Sequence, residues 1–178
     1  YLSKYNIDYV DQLEQLGTGH AIMQCRNTLE NFQGDSLILS GDVPLITEKT
    51  LSNLYKQHIT NQSDATILSA FINNPNGYGR IIRNGNTFAS IVEEKDANSQ
   101  EKEINEINAG IYIFNNQILF NNINKIKNEN NQSEYYLPDV LSVMKKNNYD
   151  INVYKTSNQL EIKGINTINQ LHELEKQI

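Results

Sequence analysis

The sequence predicts an α/β fold: a mostly parallel sheet covered by helices, with an antiparallel hairpin inserted midway. Two observations support this prediction. Helical and strand-like patterns alternate along all 178 residues without an interdomain linker, so we expect one domain over residues 1–178. Leu37, Ile38 and Leu39 form a continuous apolar run between turn-forming residues, which is typical of a central strand buried on both faces.

The composition limits the classes of function. A net charge of −6 and a pI near 5.1 argue against a nucleic-acid-binding surface. An acidic protein that handles phosphates needs a divalent cation to bridge them. Cys25 is the single cysteine and suits a reducing cytosol. Because no apolar run reaches the length of a membrane span and no signal peptide is visible, we expect a cytoplasmic protein without a membrane partner.

Turn and cap residues set the element boundaries in the first half of the chain. Thr47 is a favourable N-cap, and Asn84-Gly85-Asn86 is typical of a hairpin turn. We therefore expect a strand at 7–10, a helix at about 20–29, the strand at 37–39, a helix at about 47–59, a strand at 64–72, and hairpin strands at 80–83 and 88–93.

The second half continues the alternation and ends in a helix. Ile168, Leu171 and Leu174 recur at helical spacing and predict one apolar face. We expect a strand at 106–114, helices at about 117–127 and 137–146, short strands at 151–154 and 161–163, and a last helix from 166 or 167 to 177.

Two loops combine glycine with residues that could bind a ligand. Asp42 follows Gly41 at the carboxyl end of the apolar strand, where open α/β sheets bind their ligands. The alternative is a turn in which Asp42 bonds its own backbone. Gly17-Thr18-Gly19 leads into a helix and offers backbone N–H groups to an anion, although glycine-rich turns before helices are common. We interpret His20 as a solvated residue of the first helical turn.

Seven motifs occur in order along nearly the whole chain: Gln12-x-x-Gln15-Leu-Gly-Thr-Gly-His-Ala21, Gly41-Asp-Val-Pro44, Asn76-Gly-Tyr-Gly-Arg-Ile81, Ile91-Val-Glu-Glu-Lys-Asp-Ala97, Glu106-Ile-Asn-Ala-Gly-Ile111, Glu134-Tyr-Tyr136 and Gly164-Ile-Asn166. Together they resemble the N-acetylglucosamine-1-phosphate uridylyltransferase domain of the bifunctional bacterial enzymes that make UDP-N-acetylglucosamine. The resemblance implies a Rossmann-like nucleotidyltransferase sheet of the nucleotide-diphospho-sugar transferase type.

The resemblance implies a reaction and a metal. The phosphate of N-acetylglucosamine 1-phosphate attacks the α-phosphorus of UTP, pyrophosphate leaves, and the UDP-N-acetylglucosamine formed serves cell-wall synthesis. By the same resemblance, Asp42 and Asn166 hold Mg²⁺ through oxygen atoms, as a hard cation prefers. The alternative for Asn166 is a helix cap before Thr167.

The resemblance also implies two sets of substrate-binding residues. A freely rotating Gln12 amide could pair with cytosine as well as with uracil, so Gln12 alone does not establish the base. Glu93 belongs either to the sugar pocket or to a solvated, charged loop. The nucleotide set is Gln12, Gly17 and Thr18, and the sugar set is Gly79, Glu93, Asn108 and Tyr136.

The sequence departs from the family pattern in several places. Ala109 and Pro138 stand where the family often has Thr. Neither the family's Gly-rich phosphate loop nor its acetyltransferase β-helix occurs in the 178 residues. We therefore expect an N-terminally truncated domain with little turnover by itself. The resemblance implies a parent that trimerises through its C-terminal domain. Two other hypotheses are a related nucleotidyltransferase for another sugar or base, and a non-catalytic nucleotide-sugar-binding remnant.

Overall fold

The computed structural model describes residues 7–176, without the side chain of Glu173. None of the helices in this part of the chain is long and apolar enough to cross a membrane. The strands are β1 (Asp35–Ile38), β2 (Ala65–Phe71), β3 (Arg80–Asn84), β4 (Thr87–Val92), β5 (Glu106–Asn115) and β6 (Ile151–Thr156). The helices are α1 (Thr18–Gln24), α2 (Arg26–Leu29), α3 (Glu48–Thr60), α4 (Ser99–Lys102), α5 (Asn116–Asn122), α6 (Asp139–Lys146) and α7 (Ile168–Glu175), with 3-10 turns at Ile123–Lys125 and Gln159–Ile162.

The six strands form one sheet in the order β4-β3-β5-β2-β6, and β1 pairs with β5. The predicted α/β fold with an inserted hairpin is confirmed, but the predicted mostly parallel sheet is wrong. Within residues 7–176 only β2 and β6 pair in parallel. β1, β2, β3 and β6 point the same way, but β5 runs against them and lies between β2 on one side and β3 and β1 on the other. The alternation of helices and strands along the chain does not reveal the order of the strands in the sheet.

The strand predicted to be central and buried on both faces is not. β1 pairs with residues 112–115 of β5, on the edge opposite β2, and has no second strand neighbour among the described residues. Leu37 is 45% exposed and Leu39 is 48% exposed. An apolar run of three residues predicts a strand, but it does not determine which faces of that strand are covered.

Three local predictions also need correction. Residues 7–10 form no strand. The helix predicted at about 20–29 is interrupted at Cys25, which separates α1 from α2. The short strand predicted at 161–163 overlaps the 3-10 turn Gln159–Ile162 instead. In each case the apolar pattern was too short to distinguish a strand or a helix from an irregular segment.

The sheet separates two apolar clusters. In β2, Ile67 belongs to one cluster and Leu68 to the other, because successive side chains of a strand point to opposite faces. Leu119 of α5 and Leu141 of α6 cover the first face, and Leu54 of α3 covers the second. All five side chains are buried. Helices therefore pack on both faces of the sheet.

Candidate active site

A cavity of about 570 Å³ lies where the loops after β1, before β3 and before α7 meet β5. Polar side chains from distant parts of the sequence face it, and half of them belong to residues that the sequence predicts to bind a ligand. Six of the nine predicted site residues line the cavity: Thr18, Asp42, Gly79, Glu93, Asn108 and Asn166.

Asp42 and Asn166, 124 positions apart in the numbering, meet above Gly164. A Cβ atom on Gly164 would lie 3.3 Å from Oδ2 of Asp42 and 3.8 Å from Nδ2 of Asn166. The two loops are joined directly, because the N–H of Ile165 donates to the carbonyl of Asp42 at 2.8 Å. The absence of a side chain at Gly164 therefore leaves room for both polar groups.

This pair fits a hard divalent cation. A carboxylate and an amide oxygen are ligands that Mg²⁺ prefers, and Mg²⁺ commonly keeps its other positions for water and substrate phosphates. No group of three or more His, Cys, Asp or Glu side chains that could hold a metal occurs within residues 7–176. The helix cap proposed for Asn166 belongs to its neighbour, because the Thr167 hydroxyl accepts the N–H of Gln170. Metal binding by Asp42 and Asn166 stays a prediction.

A bulge in β5 aims Asn108 into the cavity. The register of β5 against β2 shifts between residues 108 and 112, and Gly110 has φ +70° within this segment. A Cβ atom on Gly110 would lie 2.7 Å from Oγ of Ser40, whose hydroxyl donates to the carbonyl of Gly110 at 2.9 Å. Glycine is therefore required twice here, for the left-handed backbone and for the close approach of the loop after β1.

Tyr112 fixes the amide of Asn108, and it was not among the residues predicted from the sequence. Nδ2 of Asn108 donates to the hydroxyl of Tyr112 at 2.6 Å, and Oδ1 accepts the N–H of Gly110 at 3.1 Å. Tyr112 also lines the cavity, and burial raises its pKa. The sequence did carry a signal for this contact: Asn108 and Tyr112 are four positions apart on one strand, and residues separated by an even number of positions share a face of the strand.

Glu93 follows β4, and its carboxyl group lies against Gly79 in the cavity. A Cβ atom on Gly79 would lie 3.0 Å from Oε1 of Glu93, so glycine makes room for this carboxylate. Burial raises the pKa of Glu93 to about 7, and repulsion from Asp139 and Asp96 adds to the effect, while Arg80 opposes it. A carboxyl group held in this way is unlike the solvated loop residue of the alternative hypothesis.

The loop before β3 is held over the cavity by a buried arginine. Arg80 is fully buried, and its Nη2 pairs with Oε2 of Glu94 at 2.8 Å. The same carboxylate accepts the N–H of Gly77 at 3.2 Å, and Arg80 also donates to the carbonyl of Tyr78. These bonds fix Gly77 and Tyr78, both of which line the cavity. The charged cluster after β4 therefore has a structural role in addition to any ligand contact.

Two of the three predicted residues outside the cavity lie next to Thr18. Gln12 donates through Nε2 to the carbonyl of Gly17 at 3.0 Å. Gly17 has φ +105°, and a Cβ atom there would lie 2.7 Å from the carbonyl oxygen of Tyr135. The Thr18 hydroxyl accepts the N–H of Leu137 at 3.0 Å, which leaves its own proton for a ligand. Glycine at position 17 thus allows the loop that contains Gln12, Gly17 and Thr18 to pack against residues 135–137.

The third residue, Tyr136, lies on the far side of Glu93. It lines a second cavity together with Glu93, Asp96 and Asp139, and its hydroxyl accepts Nε2 of Gln132 at 2.8 Å. Burial raises the pKa of Asp139 to about 6, with repulsion from Asp96 as a second cause. The structure therefore does not place Tyr136 in the main cavity with the other sugar-set residues.

We expect Glu93→Gln to stabilise the chain at pH 8 and to leave its stability unchanged at pH 4. A carboxyl whose pKa rises from 4.5 to about 7 on folding binds more protons in the folded state, so the free energy of unfolding falls as the pH rises through that interval. When the partial exposure of Glu93 is allowed for, the substitution should raise the free energy of unfolding at pH 8 by on the order of 2 kcal/mol, since one pKa unit is about 1.4 kcal/mol. Urea unfolding at both pH values measures it.

Glu103 is the matched control, because it is an exposed glutamate outside the cavity. Glu103→Gln should change the free energy of unfolding by less than about 0.5 kcal/mol at either pH. Equal stabilisation of the Glu93 variant at pH 4 and pH 8 would show that Glu93 is not held in its protonated form by the fold.

The fold and the cavity together define a class of protein. The chain belongs to the nucleotidyl transferase family, whose model matches residues 2–158. Among curated proteins it is similar to the bifunctional protein GlmU of Staphylococcus saprophyticus and to that of Staphylococcus epidermidis, with 48% identity over 169 residues in each case. The chain covers 38% of each relative, and 94% of the chain is aligned. The resemblance seen in the seven motifs is confirmed.

Solved structures support the fold. A UDP-glucose pyrophosphorylase complexed with UDP-glucose superposes with a TM-score of 0.71 and 19% identity, over 96% of this chain and 64% of that one. The apo form of a UDP-glucose pyrophosphorylase gives a TM-score of 0.70 and 18% identity, over 96% and 62%. At this level of identity the likeness shows the fold and does not establish the substrate.

Proposed function

We propose that the chain is the uridylyltransferase part of a cytoplasmic enzyme that makes UDP-N-acetylglucosamine and pyrophosphate from UTP and N-acetylglucosamine 1-phosphate, for cell-wall synthesis. The similarity to GlmU over 94% of the chain supports this reaction. The observation that carries the proposal is one cavity lined by the predicted metal pair, Asp42 and Asn166, and by the predicted sugar residues Glu93 and Asn108.

The nucleotide end of the proposed site lies between Thr18 and Asp42. Asp42 and Asn166 would hold Mg²⁺, which neutralises phosphate charge when bound. Gln12 and Gly17 would contact the uracil, and the free proton of the Thr18 hydroxyl can bond an acceptor on the nucleotide. Because Thr18 is held by Leu137, its hydroxyl is already oriented before the nucleotide arrives.

The sugar end of the proposed site lies between Glu93 and Asn108. The Glu93 carboxylate can accept hydrogen bonds from sugar hydroxyls, and Gly79 leaves the space beside it open. Tyr112 and Gly110 hold the Asn108 amide in one orientation. A buried amide and carboxylate in fixed positions reject a ligand that leaves them unpaired. Tyr136 would support Glu93 from the second cavity.

The proposed chemistry depends on positioning more than on a covalent role for the protein. In-line attack at a phosphorus needs the two reactants aligned and the charge of the leaving group neutralised. No Lys or Arg is found among the described residues that line the cavity. We therefore propose that the 178-residue chain by itself binds both substrates but turns them over slowly, and binding is the primary test.

Binding is measured by isothermal titration calorimetry at pH 8 with Mg²⁺, UTP and N-acetylglucosamine 1-phosphate. We expect Glu93→Gln to weaken binding of the sugar phosphate by roughly ten- to hundredfold, since a hydrogen bond to a charged group is worth about 1.5–3 kcal/mol. UTP binding should stay within about twofold of the unsubstituted chain, and Glu103→Gln should affect neither ligand.

Four results would contradict the proposal. Equal losses for UTP and the sugar phosphate would show that Glu93 shapes the loop and does not contact the sugar. Tighter binding of glucose 1-phosphate would favour the related nucleotidyltransferase of the alternative hypothesis. Failure to bind UTP would remove the nucleotide site. A non-catalytic remnant would be indicated if full-length enzyme containing this chain bound both substrates and released no pyrophosphate.

A further inference from the structure

His20 lies between the amides of two glutamines. Its Nδ1 is 3.0 Å from Nε2 of Gln12, and its Nε2 is 3.1 Å from Nε2 of Gln24. The imidazole also stacks on Tyr135, with ring centroids 6.4 Å apart and an interplanar angle of 29°. The sequence pattern indicated a solvated side chain at the start of a helix, whereas the structure shows a ring held on three sides.

A neutral imidazole cannot accept a hydrogen bond at both nitrogens. One nitrogen carries the proton and donates, and the other accepts. Since an amide nitrogen is only a donor, His20 can face the nitrogen of Gln12 or the nitrogen of Gln24, but not both. The remaining glutamine must turn its amide over and present its oxygen, which has nearly the same shape. The tautomer of His20 therefore couples the orientations of the two amides.

Gln12 presents its nitrogen to two acceptors, and turning it over would set its amide oxygen against the carbonyl oxygen of Gly17. Its Nε2 lies 3.0 Å from both Nδ1 of His20 and the carbonyl of Gly17. The corresponding contacts of Gln24 are longer, at 3.1 Å to the ring and 3.2 Å to the carbonyl of His20. That second contact is a bond from a helix side chain to the carbonyl of the residue four positions back.

With Nδ1 of His20 as the acceptor, both N–H protons of Gln12 are engaged within the protein. One bonds the carbonyl of Gly17 and the other bonds His20. Oε1 of Gln12 has no hydrogen-bond partner in the part of the chain that the structure describes. The amide is thus no longer a freely rotating group, and the atom left for a ligand is a hydrogen-bond acceptor.

We propose that His20 is a positioning residue that selects uracil over cytosine by holding Gln12 with its oxygen toward the base. The proposal rests on the proposed function, which places a pyrimidine nucleotide against Gln12. Uracil carries an N–H at ring position 3 and can donate to Oε1. Cytosine carries a lone pair at the same position, so its lone pair and that of Oε1 repel each other. Turning the amide over would break its bond to the carbonyl of Gly17 and would require His20 to carry its proton on Nδ1.

The test compares the affinities of UTP and CTP for the 178-residue chain in the presence of Mg²⁺, by isothermal titration calorimetry. The unsubstituted chain should prefer UTP by about tenfold, since a neutral hydrogen bond is worth up to about 1.5 kcal/mol. His20→Phe retains a ring against Tyr135 but has no acceptor, so the ratio of the two affinities should fall toward one. His20→Asn places an oxygen near the position of Nδ1 and should restore most of the preference.

A double-substitution cycle separates positioning from a general structural effect. Gln12→Ala and His20→Phe should each weaken UTP binding by about tenfold, and the double variant should lose no more than Gln12→Ala alone, since His20 acts through Gln12. Gln15→Ala is the control, because Gln15 lies in the same loop and its side chain makes no hydrogen bond within residues 7–176.

Two outcomes would overturn the proposal in distinguishable ways. In the first, the unsubstituted chain prefers UTP, but the loss of UTP affinity in the double variant is the product of the two single losses, or His20→Phe keeps the full preference for UTP. His20 then does not act through Gln12, and the proposed function stands. If the unsubstituted chain binds neither nucleotide, the proposed function and this proposal both fail.

Discussion

Replacing Asp42 with alanine is expected to lower turnover of a full-length enzyme that contains this chain by about 10²–10³, the range seen when one group that stabilises transition-state charge is removed. Asp42 supplies the only carboxylate of the proposed metal pair, and Asn166 contributes a neutral oxygen. Mg²⁺-dependent UTP binding by the 178-residue chain should fall with it. Pyrophosphate release and calorimetry measure the two effects.

The fold should tolerate this substitution. Asp42 is exposed, and it is joined to the loop before α7 through its backbone carbonyl, which alanine keeps. The free energy of unfolding should therefore change by less than about 0.5 kcal/mol. Asp8→Ala, at another exposed aspartate, is the matched control and should leave turnover unchanged. Near-normal turnover of the Asp42 variant would remove this residue from the mechanism.

The largest effect on stability is expected from Arg83→Met, at about 3 kcal/mol, because breaking a buried ion pair leaves an uncompensated charge. The Glu106 side chain is 4% exposed and the Arg83 side chain is 30% exposed. Arg83 bonds both carboxylate oxygens of Glu106, at 2.6 and 2.7 Å, and the hydroxyl of Ser69 donates to the same group at 2.8 Å. Urea unfolding at pH 7 measures the loss.

The pH dependence of this loss of stability tests whether the broken ion pair is its cause. Burial raises the pKa of Glu106, but the hydrogen bonds from Arg83 and Ser69 outweigh it and the pKa is lowered overall. A carboxyl group whose pKa is lowered on folding stabilises the protein at pH values above its ordinary pKa. This stabilisation is lost as the pH falls through the lowered pKa. The difference between Arg83→Met and the unsubstituted chain should therefore shrink in acid.

A second variant guards against a simple packing effect. Combining Arg83→Met with Glu106→Leu removes both charges, and replacing a buried pair with apolar groups is often nearly neutral. The double variant should recover most of the lost stability. A double variant as unstable as Arg83→Met would show that the packing of the guanidinium group, and not its pairing with the Glu106 charge, stabilises this part of the sheet.

Local sequence signals determined most of the elements correctly. The hairpin was predictable because Gly85 adopts φ +58° in the turn between β3 and β4. The start of α3 was predictable because the Thr47 hydroxyl accepts the N–H of Thr50. Such signals act within a few residues, so they depend little on the rest of the fold.

The motifs also determined much of the candidate site. Six of the nine residues that they indicated line one cavity, including the distant pair Asp42 and Asn166. Motifs succeed here because a ligand requires particular groups at loop positions, and those requirements are visible residue by residue. They do not show which partner holds each group, and so they missed Tyr112 beside Asn108.

Only the tertiary structure decided the order of the sheet and the state of the polar groups. The antiparallel β5 lies between β1 and β2, and β1 keeps an exposed Leu37, because strand pairing depends on contacts between residues far apart in the chain. Likewise, the sequence alone leaves the Gln12 amide free to rotate, and the structure orients it through its hydrogen bonds to Gly17 and His20. Hydrogen bonds fix a side chain only after the backbone has brought its partners within about 3 Å.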